Sequence, residues 1–283
     1  MPPTIGHSRL NGPSLFGIVN VTEDSFSDGG RFLDPAAALA HARALAATGA
    51  DVIDLGAAAS NIDARPVTAE DEIRRLEPLI AALQAERIPV SVDSFVPEVQ
   101  RFALARGVDF INDIQGFPEA ALYPELAAAR CRLVIMHAVH GRGRAQRVEL
   151  GAGEVWDRIL AFFRDRIAAL EHAGIARERL IIDPGMGFFL SSRPEASLHV
   201  LARLGELKRI FGLPVLVSVS RKSFLRMVSG RASAGELGAA TLTAELHATR
   251  CGADFIRTHD PGSLADGLRV TAALRAAAAP ADR

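Results

Sequence analysis

The sequence predicts an α/β fold, a (β/α)8 TIM barrel in a single domain, and three observations carry that reading. Eight short apolar runs each end in a polar residue. Alanine- and leucine-rich stretches of helical spacing separate them and leave no room for second strands between. The length, 283 residues, suits one barrel better than two domains.

In chain order the apolar runs are residues 15–19 into Asn20, 52–53 into Asp54, 90–92 into Asp93, and 110–111 into Asn112 and Asp113. They continue with 133–136 into His137, 180–182 into Asp183, 215–219 into Ser220-Arg221-Lys222, and 255–256 into Arg257 and His259. A buried parallel strand is apolar on both faces, so a polar residue at its carboxyl end marks where the sheet opens to a cleft. Eight such ends point to one site. Helices are expected over 35–47, 69–84, 154–173, 196–210 and 237–249. Asp34-Pro35, and Thr68 ahead of Asp71 and Glu72, read as helix starts, because a side-chain oxygen can take up the first free amides. Gly174 and Gly252 read as helix stops. The barrel is expected over 15–277, with a flexible segment at 1–14 and a frayed tail at 278–283.

Hydrophobic residues make up 49% of the chain, charged ones 23%, and the formal net charge is −1, so there is no electrostatic footprint for nucleic acid or an anionic membrane. The partner implied is a small molecule. Cys131 and Cys251 match neither a disulfide framework nor metal-ligand spacing and are expected to be buried and reduced. The first fourteen residues lack the apolar core of a signal peptide, and no apolar run reaches membrane-spanning length, so a cytoplasmic address is expected.

Function is sought in the connections beyond the strands. The long ones, 20–34, 56–68 and 138–153, are expected to act as lids. Asp93, Asn112, Asp183 and Lys222 together offer ionised acceptors, an amide and a cation. A ring with a 2-amino-4-oxo edge presents paired N–H groups that a carboxylate can bind twice, so this set suits a pterin or guanine-like ring. Asn20, Arg257 and His259 belong to strands that become neighbours on closure, and they suit a phosphate or pyrophosphate carrying Mg2+, with Asn20 as the metal ligand. Singly these residues have other readings: Asp183-Pro184-Gly185 as a turn, Ser220-Arg221-Lys222-Ser223 as a helix start, His137 as a core histidine bonded to backbone.

Taken together the motifs resemble a known family. Gly17-Ile18-Val19-Asn20-Val21-Thr22-Glu23-Asp24-Ser25-Phe26-Ser27-Asp28-Gly29-Gly30 resembles the first signature of the dihydropteroate synthases. Ser91-Val92-Asp93, Ile111-Asn112-Asp113-Ile114, Met136-His137, Asp183-Pro184-Gly185-Met186-Gly187-Phe188, Ser220-Arg221-Lys222-Ser223 and Arg257-Thr258-His259-Asp260 resemble the later ones, in the family's order, so the likeness spans about 15–274. It implies joining 6-hydroxymethyl-7,8-dihydropterin pyrophosphate to p-aminobenzoate with release of pyrophosphate and dihydropteroate. It also implies Asp93, Asn112, Asp183 and Lys222 around the pterin, with Asp54 and Met136 lining that pocket. Asn20, Arg257 and His259 would hold Mg2+ and pyrophosphate, and Ser220, Arg221 and Phe188 would flank the aminobenzoate under a closing segment, 22–31. A homodimer built through outer helices is implied as well.

Two stretches depart from the family pattern, both bordering the aminobenzoate. Ala59-Ser60-Asn61-Ile62-Asp63-Ala64 stands where the family has Glu-Ser-Thr-Arg-Pro-Gly, with Arg65-Pro66 following, which brings Ser60 and Asn61 into the substrate set. Phe188-Phe189-Leu190-Ser191-Ser192 is about two residues longer than the family's Phe, small residue and Lys, the added residue being one of Phe188, Phe189 and Leu190, which brings Phe189 into the substrate set. Both resemble the mobile sulfonamide-resistant members. An extra aromatic side chain there would reject a bulky drug and spare the smaller substrate. Two other readings stay open: a pterin-binding methyltransferase acting with a corrinoid protein, and a non-catalytic phosphate-binding barrel.

Overall fold

The structure, a computed structural model, describes residues 12–22, 34–58, 66–141, 145 and 147–278. Its centre is an eight-stranded parallel sheet of β1 (Ser14–Asn20), β2 (Val52–Gly56), β3 (Val90–Asp93), β4 (Phe110–Asp113), β5 (Arg132–Met136), β6 (Leu180–Asp183), β7 (Leu216–Val217) and β8 (Phe255–Thr258). The order β6-β5-β4-β3-β2-β1-β8-β7 follows the chain around a ring, which a bridge between Ile182 and Val215 brings to near-closure. This is the expected (β/α)8 barrel. The run at 215–219 is strand over two residues only, because the chain turns immediately after it and the Lys222 amide bonds back to the Val219 carbonyl.

Around the ring lie α1 (Pro35–Thr48), α2 (Ala69–Ala85), α3 (Pro97–Ala105), α4 (Tyr123–Ala128), α5 (Ala152–His172), α6 (Pro194–Ala202), α7 (Leu204–Phe211), α8 (Ser223–Ser229), α9 (Gly238–Arg250) and α10 (Pro261–Ala278). The Asp34 carboxylate accepts from the Ala36 amide and the Thr68 hydroxyl from the Asp71 amide, so both helix starts are real. The single helix expected over 196–210 is two, broken at Arg203. Gly205 follows the break; it is a poor helix former, and a Cβ there would stand 3.1 Å from the Cys251 carbonyl oxygen. Both cysteines are free, but only Cys131 is buried. Cys251 is half-exposed because it caps α9 instead of entering β8, with its Sγ 3.4 Å from His247 Nε2. Ser14 already belongs to β1, and Pro13 is buried beside it. The rest of the expected N-terminal segment, 1–11, and the tail beyond Ala278 lie outside the described residues. No helix among them is long and apolar enough to cross a membrane.

What positions the site is the alternation of side chains along each strand. Successive residues point to opposite faces, so residues two apart share a face. Phe16, Val52, Phe110, Val134, Ile181, Leu216 and Phe255 form one buried apolar cluster in the barrel interior. Two residues further along those strands come Ile18, Asp54, Asn112, Met136, Asp183, Ser218 and Arg257, with Asp93 in the matching place on β3. An apolar floor thus carries a largely polar layer. The rings of Phe16, Phe110 and Phe255 meet edge to face, with centroids 4.9 to 6.3 Å apart, and Arg132 lies 4.9 Å from the Phe255 ring. Truncating one of these buried rings, Phe110→Ala, is expected to cost about 3–5 kcal/mol of stability, read as a lower urea midpoint with an unchanged slope.

Candidate active site

The polar layer lines a pocket with about 330 Å3 of empty space, walled by Asp93, Asn112, Ile114, Met136, Asp183, Gly185, Met186, Phe189, Ser218, Lys222 and Arg257. All four residues expected around a ring, Asp93, Asn112, Asp183 and Lys222, are therefore brought together. Asp54 lies fully buried just beneath, on β2.

The turn after β6 is both a turn and a wall. Asp183 Oδ1 accepts from the Gly185 amide at 2.8 Å, which aims the carboxylate. Gly185 has φ +74°, and an added Cβ would lie 2.4 Å from the His137 carbonyl oxygen, so only glycine fits. His137 is a core histidine. Its Nδ1 is 3.2 Å from the Pro184 carbonyl, and burial pushes its pKa down to about 4. Lys222 stands at the head of α8, its ammonium 5.0 Å from the centre of the Phe189 ring.

Arg257, expected with Asn20 and His259 at a phosphate end, is held by carboxylates of the ring pocket. Its Nε donates to Asp54 Oδ2 and its Nη2 to Asp93 Oδ2, each at 2.6 Å, so the guanidinium bridges two carboxylates inside the ring pocket. The alternation explains this: Arg257 points inward, Thr258 outward, and His259 lies beyond the strand. His259 meets Ser220 instead, with Nδ1 2.9 Å from Ser220 Oγ while its amide donates to the same oxygen. Arg221, adjacent, is held at φ +58°, left-handed for a non-glycine residue, with its amide donating to Thr241 Oγ1.

Burial sets the protonation of the layer. It raises Asp93 to about 6 against the pull of Arg257, and Asp183 to about 6 against the Gly185 amide and Lys222. It lowers Lys222 to about 8, with Arg257 adding to the effect and Asp183 and Asp93 opposing it. Burial works against the Arg257 charge too, but Asp54 and Asp93 outweigh it and hold the pKa above the usual arginine value. His259 is held well below the usual imidazole value by burial and then by Arg221, Arg257 and Lys222, so its ring is neutral. Asp54 Oδ1 and Asn112 Oδ1 are buried acceptors with no partner among the described residues. Such atoms call for a ligand that donates.

Of the expected aromatic segment, the three side chains part company. Phe188 is half-buried under the Arg147 guanidinium, 5.8 Å away, Phe189 stacks on His140 in the pocket wall, and Leu190 belongs to the outer core. The described part of the third long loop is stitched to this segment. The Val139 amide donates to the Phe189 carbonyl, the Ser192 amide to Val148, and the Leu150 amide to Ser191 Oγ. It forms a strap where a lid was expected. Ser60, Asn61 and Arg65 of the second loop, and 23–33 of the first, lie outside the described residues. Ile114, Met186 and Ser218 line the pocket without having been singled out; Ser218, two beyond Leu216, was recoverable from the alternation.

Residues 16–259 match the family described as pterin binding enzyme. The chain belongs to this family, among its dihydropteroate synthases. A type-2 dihydropteroate synthase of Escherichia coli is 60% identical over 92% of this chain and 96% of its own. Among solved structures, a Xanthomonas albilineans dihydropteroate synthase with 4-aminobenzoic acid superposes with a TM-score of 0.84 at 38% identity, covering 95% of each chain. The Xanthomonas albilineans synthase in complex with 7,8-dihydropteroate does so with a TM-score of 0.79 at 34% identity, again over 95% of each chain. These relatives set aside the corrinoid-linked methyltransferase and the non-catalytic barrel.

The protonation pattern predicts a bell-shaped kcat/KM profile for this synthase. Activity is expected to fall below about pH 6 as Asp93 and Asp183 gain protons, and above about pH 8 as Lys222 loses one. Replacing Lys222 with Arg, which keeps its charge, should move the alkaline arm upward; steady-state rates across the range read both arms.

Proposed function

We propose that this dihydropteroate synthase condenses 6-hydroxymethyl-7,8-dihydropterin pyrophosphate with p-aminobenzoate. The observation that carries the reading is the pocket in which two carboxylates, an amide and an ammonium converge on a floor of apolar side chains. Asp183 binds the paired N–H groups of the pterin edge, Asn112 and the unpartnered Asp54 oxygen take further ring donors, and Lys222 meets the ring carbonyl and nitrogen acceptors. Met136 and Phe189 supply the apolar walls.

Asn20, at the tip of β1, fits a role toward Mg2+. A Cβ on Gly56 would sit 3.5 Å from its Oδ1, so the glycine leaves room beside one amide oxygen. Among the described residues no three His, Cys, Asp or Glu side chains form a metal cage, so one protein oxygen suits an ion that arrives on pyrophosphate and keeps its waters. Bound there, Mg2+ would offset the charge of the leaving pyrophosphate. His259, neutral and tied to Ser220, is placed to donate to that anion. The Arg257 guanidinium, at the next inward position, faces both the ring and the departing group.

In the reaction the bond between the pterin methylene carbon and the pyrophosphate oxygen breaks first, with the electron pair leaving on oxygen. The aminobenzoate nitrogen then bonds to the cationic methylene and loses a proton. Asp93 and Asp183 stabilise the cation while Arg257 and His259 stabilise the anion, so the work of these residues is electrostatic and needs no covalent intermediate on a side chain. Lys222→Ala should lose about 2–5 kcal/mol of pterin affinity by calorimetry, since it leaves buried carboxylates without their cation. Undiminished affinity would remove Lys222 from the site.

Sulfonamide insensitivity belongs to the same reading, and Phe188 supports it. Leu190 is core and Phe189 lines the ring pocket, which leaves Phe188 as the outer aromatic residue, beside Arg147. A sulfonamide copies the aminobenzoate ring but extends past its carboxylate, so a side chain there blocks the drug and spares the substrate. The reading also includes a homodimer, for which the exposed apolar side chains of the outer helices, Leu198, Ile210, Met227, Val228, Val270 and Leu274, are support, and a cytoplasmic address. Phe188→Ala is expected to lower the sulfamethoxazole inhibition constant at least about tenfold, or about 1.4 kcal/mol, with a much smaller change in the aminobenzoate KM. A parent enzyme already sensitive to the drug would refute the filter.

A further inference from the structure

Behind the tips of β3 and β4 lies a buried polar clasp outside the pocket. Asp93 and Asn112 face the pocket, so the residues that follow them, Ser94 and Asp113, face the outer helices. The two tips are joined directly, the Ser94 amide donating to the Asn112 carbonyl at 3.1 Å. Gln100, one turn into α3 and 2% exposed, spans them with a single amide group. Its Nε2 donates to the Ser94 carbonyl at 2.8 Å and to Asp113 Oδ2 at 2.9 Å.

The rest of the clasp is saturated. Ser94 Oγ donates to Glu72 Oε2 of α2 at 3.0 Å and accepts from the Val96 amide. Asp113 accepts from the Gln115 amide at 2.7 Å and from the Phe117 amide at 2.9 Å, which shapes the turn after β4. Glu72, Ser94 and Asp113 are all buried. Nothing in the clasp touches the pocket, yet it grips the residue after each of two pocket acceptors.

We propose that Gln100 is a positioning residue for pterin recognition: by tying the Ser94 carbonyl to the Asp113 carboxylate it fixes the relative aim of Asp93 and Asn112. A network with every member satisfied is rigid, and removing its shared donor leaves the buried Ser94 carbonyl bare and the Asp113 carboxylate with its backbone donors alone. The substrate whose hydrogen bonds depend on that aim is the pterin. The aminobenzoate, flanked by residues of the loops after β2, β6 and β7, makes no bond that Gln100 aims. The inference rests on the assignment of Asp93 and Asn112 to the pterin, and the test separates the two.

Steady-state kinetics on full-length Gln100→Leu, with both substrates varied, is the measurement. Its KM for the pterin pyrophosphate should rise about tenfold, more than kcat falls, with the aminobenzoate KM within about twofold. Phe163→Leu, a truncation in the outer core on α5, controls for lost stability and should not split the two KM values. Asp93→Asn and Asn112→Ala test the pocket itself. If they raise the pterin KM and Gln100→Leu does not, the inference falls and the pocket assignment stands. If they leave it unchanged, the assignment falls and takes the inference with it. Equal changes in both KM values, matched by Phe163→Leu, would make Gln100 a stabilising residue only and overturn the proposal. Should Gln100→Leu not fold, Gln100→Met, which keeps the length of the side chain and removes the donor, is expected to shift the pterin KM in the same direction, and no shift overturns the proposal equally.

Discussion

Everything in this barrel follows from the two-residue alternation of its strands. Side chains two apart share a face, so each strand places a floor residue and a site residue in line, and eight strands give one apolar disc beneath one polar disc. The polar disc is costly to bury. Three carboxylates, Asp54, Asp93 and Asp183, face two cations, Arg257 and Lys222, and neither set is stable in a dry interior without the other. The layer is left rich in acceptors, with oxygens of Asp54 and Asn112 unpartnered. A ligand edge crowded with N–H donors completes it.

The tip of β8 joins the two ends of the site. Arg257 enters the ring pocket, His259 meets Ser220, and Thr258 between them points to the outer layer, where its hydroxyl bonds the buried Glu245 of α9. Burial raises the Glu245 carboxyl to about 8, so at neutral pH it is largely an acid held by a neutral hydrogen bond rather than a charge behind the strand. A neutral anchor leaves the field at the site to the residues that face it. The Asp54–Arg257–Asp93 bridge ties β8 to β2 and β3 across the pocket.

The strand ends were legible because a buried parallel strand reads as an unbroken apolar run whose first polar residue marks its exit. That is why Asp93, Asn112, Asp183 and Lys222 were found as a set. The direction of Arg257 was not legible, since it depends on which of Arg257, Thr258 and His259 faces inward, and the register of a two- to four-residue strand is set by its neighbours. The break at Arg203 was hidden inside a continuous helical pattern. Gln100 was silent for a different reason: a glutamine on an amphipathic helix reads as solvated surface, and only the packing of α3 against two strand tips buries it. Ser60 and Asn61 were reached only through a family likeness, and no geometry bears on them here.

The segment after β6 sends adjacent side chains to different surroundings. Gly187, Phe188 and Phe189 form a single helical turn, which spaces side chains by about a third of a revolution and so sends neighbours in different directions. Phe189 faces Lys222 and the pocket, Phe188 faces Arg147, and Leu190 enters the core. The strap from the third loop fixes that division through bonds to the Phe189 carbonyl, the Ser191 hydroxyl and the Ser192 amide, bonds that do not depend on the identity of residue 188. Phe188 can therefore be changed without moving Phe189 or the ring pocket. A barrel with this arrangement can vary the side chain at 188 while the polar layer stays where the strands put it.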